Sequence, residues 1–265
     1  MELCKTPSHH TSELSMLEWL SKEGVIYIEG VDTRALTKRL RIKGTMLGII
    51  AVGDYDLEEL KGLVKKIEDP NKSDLVRRAT IRDVIAYGNG KRSVALIDCG
   101  AKESIIKSLL ARGLKVFRVP AWMNAEDIMN LNVRGVVISN GPGDPKMASY
   151  VINTAKALME YKIPLLGICL GHQLIALAMG METYKLKFGH RSQNHPVIGK
   201  QGCYITSQNH GFAVREMNRE GVEVTFKSLN DGSVEGIRHE KLPVLGVQFH
   251  PEAHPGPLDT GFVFD

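Results

Sequence analysis

Cys169 stands in the pentapeptide Gly167-Ile168-Cys169-Leu170-Gly171, where the apolar run IPLLGI gives way to the helical pattern GHQLIALAMG. A G-x-nucleophile-x-G turn between a strand and a helix holds its central side chain at the tip. The two glycines let strand and helix approach without a Cβ clash. The helix that follows aims its leading N–H groups and positive dipole end at the sulfur, a field that favours thiolate. The amide of Leu170 is then a natural oxyanion donor. A structural reading stands beside this one, because free cysteine is among the most buried residue types and glycines border cysteines by chance. The pentapeptide alone does not choose between them.

A cysteine nucleophile needs a base, and the base an orienting group. Among nine histidines, His172 follows Cys169 by three residues, which on a helix turns it away from the tip. His250 is the better candidate: it ends the strand pattern PVLGVQFH and is followed by Pro251 and Glu252. Catalytic side chains of a parallel sheet collect at the carboxyl ends of strands, where both Cys169 and His250 fall. Glu252 can accept from the far imidazole nitrogen and set the tautomer. Taken singly, His250 is a strand-end histidine and Glu252 a solvated turn carboxylate; together with the cysteine turn they make a triad.

The loop SNGPGDP, Ser139 to Pro145, follows the strand pattern GVVIS and offers bare backbone amides to an oxyanion or a carboxylate, or else is a tight turn. It is not a phosphate-binding signature, and no nucleotide motif occurs elsewhere in the chain. Cys169 and His172 form a lone close-spaced pair with no matching second pair, so no metal site is expected.

The elements that must position these residues are legible as periodicity. From residue 93 the runs SVALID, ESIIKSLLARG, LKVFRV, AEDIMNL, GVVIS, YVINTAKALMEY, PLLGI and GHQLIALAMG alternate strand and helix, which implies a parallel sheet covered on both faces. After about residue 185, GCYITSQN, VEVTFKSLN, SVEGIRHE and LPVLGVQFH suggest an antiparallel extension. The expected fold is therefore α/β, a mostly parallel sheet flanked by helices with an antiparallel extension. Upstream, SELSMLEWLSKEG and DTRALTKRLRIKG read as short amphipathic helices, the second capped by Asp32. AYGNGKR, Ala86 to Arg92, reads as a linker.

Composition excludes several function classes. With 43% apolar and 24% charged residues the 265-residue chain can bury a sizeable core. A net charge of +4 without a block of like charges argues against a nucleic-acid arm or a polybasic membrane patch. His172, Gln173 and the glycines interrupt the one long apolar stretch, so no membrane span is expected. Four cysteines without a C-x-x-C pair, and a start lacking signal-peptide order, point to a reducing cytoplasm.

Three segments in order, NGPGDP, GICLGHQ and GVQFHPE, resemble class I glutamine amidotransferases of the triad type. IEGVDTRALTKRLRIKGTMLG, IDCGAKESIIKSLLARG, FGHRSQNHPV, SQNHGFAV and PEAHPGPLDTGFVFD narrow the resemblance to the small, glutamine-hydrolysing subunits of carbamoyl-phosphate synthetase, over nearly the whole chain. The resemblance implies a partial N-terminal small-subunit domain at residues 1–88 and a flavodoxin-like amidotransferase domain at 93–265. It implies that Cys169 attacks the glutamine amide, His250 relays the proton to ammonia and Glu252 orients His250. It places Gly141, Gly143, Leu170, Gln173, Asn209, Gly211 and Phe212 around the glutamine, and leaves Cys99 in the core. It further implies that ammonia passes to a large synthetase subunit that uses MgATP and bicarbonate to make carbamoyl phosphate for pyrimidine or arginine synthesis, with no cofactor in this chain.

Three departures from the family pattern stand out. Family members begin about a quarter of their length earlier, in a part that supplies a serine to the glutamine pocket, and continue past GFVFD into a final helix, so a fragment is expected. Ser192 stands where glycine is usual, which predicts backbone strain. Two other readings are a glutaminase serving another synthase, such as those making anthranilate or GMP, and a non-catalytic regulatory subunit. The GVDTRALTKRLRIKG segment, which the other synthases' relatives lack, argues against the former.

Overall fold

The computed structural model describes residues 3–253 and 258–265; residues 254–257, part of the terminal motif, lie outside the described residues. Two compact units are present, Met1–Glu68 and Asp69–Asp265.

The first unit carries helices α1 (Met16–Lys22), α2 (Thr33–Lys43) and α3 (Leu57–Lys66). The Ser15 hydroxyl accepts from the Glu18 amide while the Glu18 carboxylate accepts from the Ser15 amide, a reciprocal cap that starts α1. Asp32 caps α2 through the Ala35 amide, as expected. Asp56 caps α3 through the amides of Glu58 and Glu59. None of the three helices contains a buried residue.

The second unit runs α4 (Leu75–Ala79), β1 (Ile85–Tyr87), β2 (Arg92–Asp98), α5 (Glu103–Ala111), β3 (Leu114–Pro120), α6 (Ala125–Asn130), β4 (Val136–Ile138), α7 (Ser149–Glu160), β5 (Leu165–Ile168) and α8 (Leu170–Ala178). It continues with β6 (Thr183–Gly199), β7 (Gly202–Val214), β8 (Val222–Ser228), β9 (Val234–His239) and β10 (Val244–Val247). The strands form one sheet in the order β1-β3-β2-β4-β5-β10-β9-β7-β6-β8. β3, β2, β4, β5 and β10 are mutually parallel. The flanking pairs are antiparallel.

Period-two alternation sends neighbouring side chains to opposite layers. Ala95, Ile97, Val136 and Ile138 pack with residues of α6, α7 and α8. Leu96 and Val137 pack on the other face with Ile105, Ile106 and Leu109 of α5 and with Phe264. The α/β fold with helices on both faces is thus present, with the antiparallel extension on the β9 side.

Four details depart from expectation. β10, read as part of the antiparallel extension, lies parallel to β5 with Gly246 opposite Gly167 and Val247 opposite Ile168. Its largely apolar sequence suits a strand covered on both faces. The division between units falls at residues 68 and 69, ahead of the linker read at Ala86–Arg92. Residues 69–92 are tied into the second unit: Asp98 accepts from the Ile81 amide, Thr80 Oγ1 from the Ala121 amide, and β1 pairs with β3. The motif FGHRSQNHPV belongs to the 17-residue β6, whose pairing with β7 shifts register between Lys185 and His190 and between Ser192 and His195. Ser192 is not in the left-handed region; Gly189, three residues earlier, adopts φ 72° instead.

Candidate active site

Cys169 is the residue between β5 and α8, with φ 54° and ψ −100°. Among non-glycine described residues only Asn132 and Lys162 share a positive φ. A bulky residue rarely sits there without over-determination by its surroundings. Those surroundings are glycines at close approach. A Cβ on Gly167 would meet the Gly171 backbone at 2.5 Å and the His172 nitrogen at 2.7 Å, and one on Gly171 would meet the Ile138 carbonyl carbon at 2.7 Å. Gly246, beside Gly167 in the next strand, would place a Cβ 2.8 Å from His172 Nδ1. The glycine pair Gly167–Gly246 therefore seats α8 directly on the sheet and lifts Cys169 above the ends of β5 and β10. Its amide donates to Val247 O at 2.8 Å.

β10 stops at Val247, three residues before His250, whose amide donates to Ser207 O at 2.9 Å. His250 Nδ1 lies 2.7 Å from Glu252 Oε1, and both residues are buried. Burial works against a charged imidazole, but coupling to the Cys169 sulfur and to Glu252 outweighs it and pushes His250 up to about 10. Glu252 is held below its ordinary value: burial opposes this, and the His250 hydrogen bond and charge prevail. Nδ1 faces a carboxylate and so carries a proton, while Nε2 has no other protein partner. The structure brings Cys169, His250 and Glu252 together, a constellation able to pass a proton between sulfur, imidazole and a leaving group.

The expected glutamine-binding residues lie on the loop after β4, on α8 and on β7. Gly141 packs so tightly against the Cys99 carbonyl and Leu170 that an added Cβ would lie 2.6 Å from Leu170 Cδ2. Gly143 turns the loop with φ 88°. Leu170 opens α8, so its amide belongs to the turn that lacks intrahelical acceptors. The Asn209 carbonyl lies 3.9 Å from Cys169 Sγ. Gln173 is buried and its Nε2 donates to Phe212 O at 2.8 Å and to Gln248 Oε1 at 2.9 Å. Its two donors are thereby committed, and only Oε1 is left for a ligand, an acceptor suited to an ammonium rather than a carboxylate. Gly211 follows Asn209 on β7, where a Cβ would meet Arg191 Nη2 at 3.6 Å.

Two residues escaped the sequence reading. Lys102 Nζ is 3.6 Å from Glu252 Oε1, the one lysine or arginine near that carboxylate among the described ion pairs, beside His250. Arg191 Nη1 donates to Phe188 O at 2.9 Å and His210 O at 3.3 Å, bracing the chain beside Asn209 and Gly211. Lys102 lies in the quoted segment IDCGAKES, but nothing local marks it as a neighbour of residue 252. His172 packs against Gly246, and burial pushes it down to about 3, leaving it neutral. Cys99 is fully buried in the core, where burial, with Asp98 adding, raises its thiol far above the ordinary value.

Comparisons with known proteins place the chain in a family. Residues 95–265 match the family profile "Glutamine amidotransferase class-I", and residues 1–50 match "Carbamoyl-phosphate synthase small chain, CPSase domain". The carbamoyl phosphate synthase small chain of Archaeoglobus fulgidus is 47% identical over 100% of this chain and 75% of its own length. The carbamoyl phosphate synthase arginine-specific small chain of Bacillus subtilis is 42% identical over 100% of this chain and 73% of its own. A crystal structure described as a GMP synthase subunit, from Thermoplasma acidophilum, superposes with a TM-score of 0.58 at 20% identity. It covers 66% of this chain and 92% of that one, which bears on the fold alone. No helix among the described residues is long and apolar enough to cross a membrane. The chain belongs to the carbamoyl phosphate synthase small chain family, glutamine-hydrolysing enzymes built on the class I amidotransferase domain.

Proposed function

We propose that this chain hydrolyses L-glutamine at a Cys169–His250–Glu252 triad and passes the ammonia to a large synthetase subunit. The carrying observation is Cys169 at φ 54° on the junction of β5 and α8, with the Glu252-bonded His250 presented beyond the adjacent parallel strand. In this reading the Cys169 thiolate attacks the side-chain amide carbon of glutamine. Amides of Leu170 and of the loop at Gly141 and Gly143 receive the oxyanion. The His250 imidazolium protonates the leaving nitrogen, and the C–N bond breaks to give ammonia and a thioester. Neutral His250 then takes a proton from water, which attacks the thioester and releases glutamate and free thiol. Glu252 holds Nδ1–H through both half-reactions. Gln173 Oε1 accepts from the substrate ammonium, and Asn209, Gly211 and Phe212 line the same side.

The ammonia goes to a large subunit that uses MgATP and bicarbonate to form carbamoyl phosphate for arginine or pyrimidine synthesis, with no cofactor held in this chain. The name of the Bacillus subtilis relative supports the arginine branch. A cytoplasmic setting suits four cysteines that form no disulfide. Cys169→Ser is expected to lower glutamine hydrolysis at least ~10³-fold and to abolish labelling by a glutamine-analogue electrophile, with ammonia-dependent synthesis by the assembled complex retained. Undiminished glutamine turnover in that variant would overturn the assignment.

A further inference from the structure

Among the described residues, a group of buried titratable side chains outside the triad lies where β6, β7 and β9 meet. His190 and His210 are direct cross-strand partners, and Glu235 is the second residue of β9. They are 9%, 6% and 0% exposed. His190 Nδ1 is 3.4 Å and His210 Nε2 4.0 Å from Glu235 Oε1, and all three atoms lie within 4.8 Å of one another. None of the three has a hydrogen-bond partner.

The outer atoms of the same side chains are all spoken for, in a way that fixes what faces inward. His190 Nε2 is 2.9 Å from Asp231 Oδ2, a carboxylate that only accepts, so Nε2 carries a proton. His210 Nδ1 is 2.7 Å from the Phe212 carbonyl, so that nitrogen also carries a proton and Nε2 presents a lone pair. Glu235 Oε2 accepts from Gln208 Nε2 at 2.7 Å, leaving Oε1 turned inward. Two imidazole nitrogens and a carboxylate oxygen thus converge on one point in a dry interior; unprotonated, they repel one another until a proton or a metal cation occupies it. A proton on His190 Nδ1 would serve Glu235 and leave His210 Nε2 unsatisfied. Imidazole pairs with a carboxylate, each backed by a carboxylate, carbonyl or amide on its far side, are what zinc-type ions take.

We propose that His190, His210 and Glu235 form a buried site for one divalent cation of the zinc class. Tetrahedral bonds of about 2.0–2.1 Å set ligand atoms ~3.3–3.4 Å apart. The His190–Glu235 pair already has that spacing; His210 Nε2 has to move about 0.6 Å towards Glu235 Oε1 and also towards His190 Nδ1, which lies within 4.8 Å of it. The role is a staple. β7 and β9 share a single ladder pair, Val214 with Val234, and the ion bridges this sparse seam behind the Asn209–Phe212 segment.

The test uses the purified full chain, stripped with a chelator and titrated with Zn²⁺ or Co²⁺ while metal content, thermal midpoint and, for Co²⁺, the visible spectrum are read. One equivalent is expected to bind with a rise in midpoint and a cobalt spectrum free of sulfur charge transfer. Binding should persist in Cys169→Ser, which separates this site from the candidate active site, and weaken at least ~10-fold in Glu235→Gln. His210→Gln serves as the second variant if Glu235→Gln does not fold. Zinc-soaked crystals of the wild-type chain should show an anomalous peak between the three inward atoms. No uptake by the wild type, uptake indifferent to both substitutions, or density for a water alone at that point overturns the proposal.

Discussion

Residues 1–68 and 69–265 show two ways of specifying local structure. In the first unit α1, α2 and α3 bury no residue, and each is started by a side-chain cap: Ser15 with Glu18, Asp32, and Asp56. In the second, Ile97, Ile105, Ile128, Leu158 and Ile175 are completely buried, and α5 and α7 lack a side-chain cap altogether. Short-range hydrogen bonds start the helices of the first unit without burial, whereas in the second burial adds to the caps that Asp74 and Asn124 give α4 and α6. A catalytic constellation needs positions held by packing, and the candidate site lies wholly in the packed unit.

That contrast can be broken at three places. Ile97→Ala, in the middle of β2, is expected to cost about 2–5 kcal/mol, read as a lower urea midpoint with unchanged slope. A loss below ~1 kcal/mol would mean that packing does not govern this unit. Glu252→Gln probes how far burial amplifies charge. Glu252 raises His250, so removing its charge lowers the imidazole pKa. The alkaline limb of kcat/KM, expected near pH 10 where His250 loses its proton, should move to lower pH. An unmoved limb would separate Glu252 from His250 in function. Ser15→Ala should have the smallest effect, about 1 kcal/mol, seen as faster amide exchange confined to residues 16–22. Loss of protection spreading across the first unit would show that α1 is held by more than its cap.

The same contrast explains what the sequence disclosed. α1, α2 and the strand–helix alternation from β2 to α8 were readable because caps and periodicity are local. The candidate triad was readable as a proposal because Cys169, His250 and Glu252 each sit in a short motif at or just beyond a strand end. The parallel placement of β10 was not, because an apolar run reads the same whichever neighbour it pairs with. Nor was the division between compact units at residues 68 and 69, since Thr80 and Ile81 join the second unit through partners at 121 and 98. α3 carries the same local signals, Leu57, Leu60 and Val64 along one face behind an Asp56 cap. The His190, His210 and Glu235 cluster leaves no spacing signature at all: three strands each contribute one residue, and a search for close-spaced ligand pairs passes over it.

The position of β10 bears on the order in which the chain acquires reactivity. Cys169 emerges on β5, but the strand that completes its surroundings is β10, and His250 lies 81 residues downstream. At synthesis rates of about 5–20 residues per second that separation is roughly 4–16 s. Throughout it β5 ends the parallel sheet as an open edge and the thiol has neither base nor carboxylate. Every nascent or truncated chain that stops before Val244 is therefore chemically unarmed, however well its first strands have folded. Insertion of β10 closes the edge, and under the proposed mechanism the His250–Glu252 segment just beyond it arms the cysteine, so competence for chemistry then reports that synthesis has passed the last strand of the sheet.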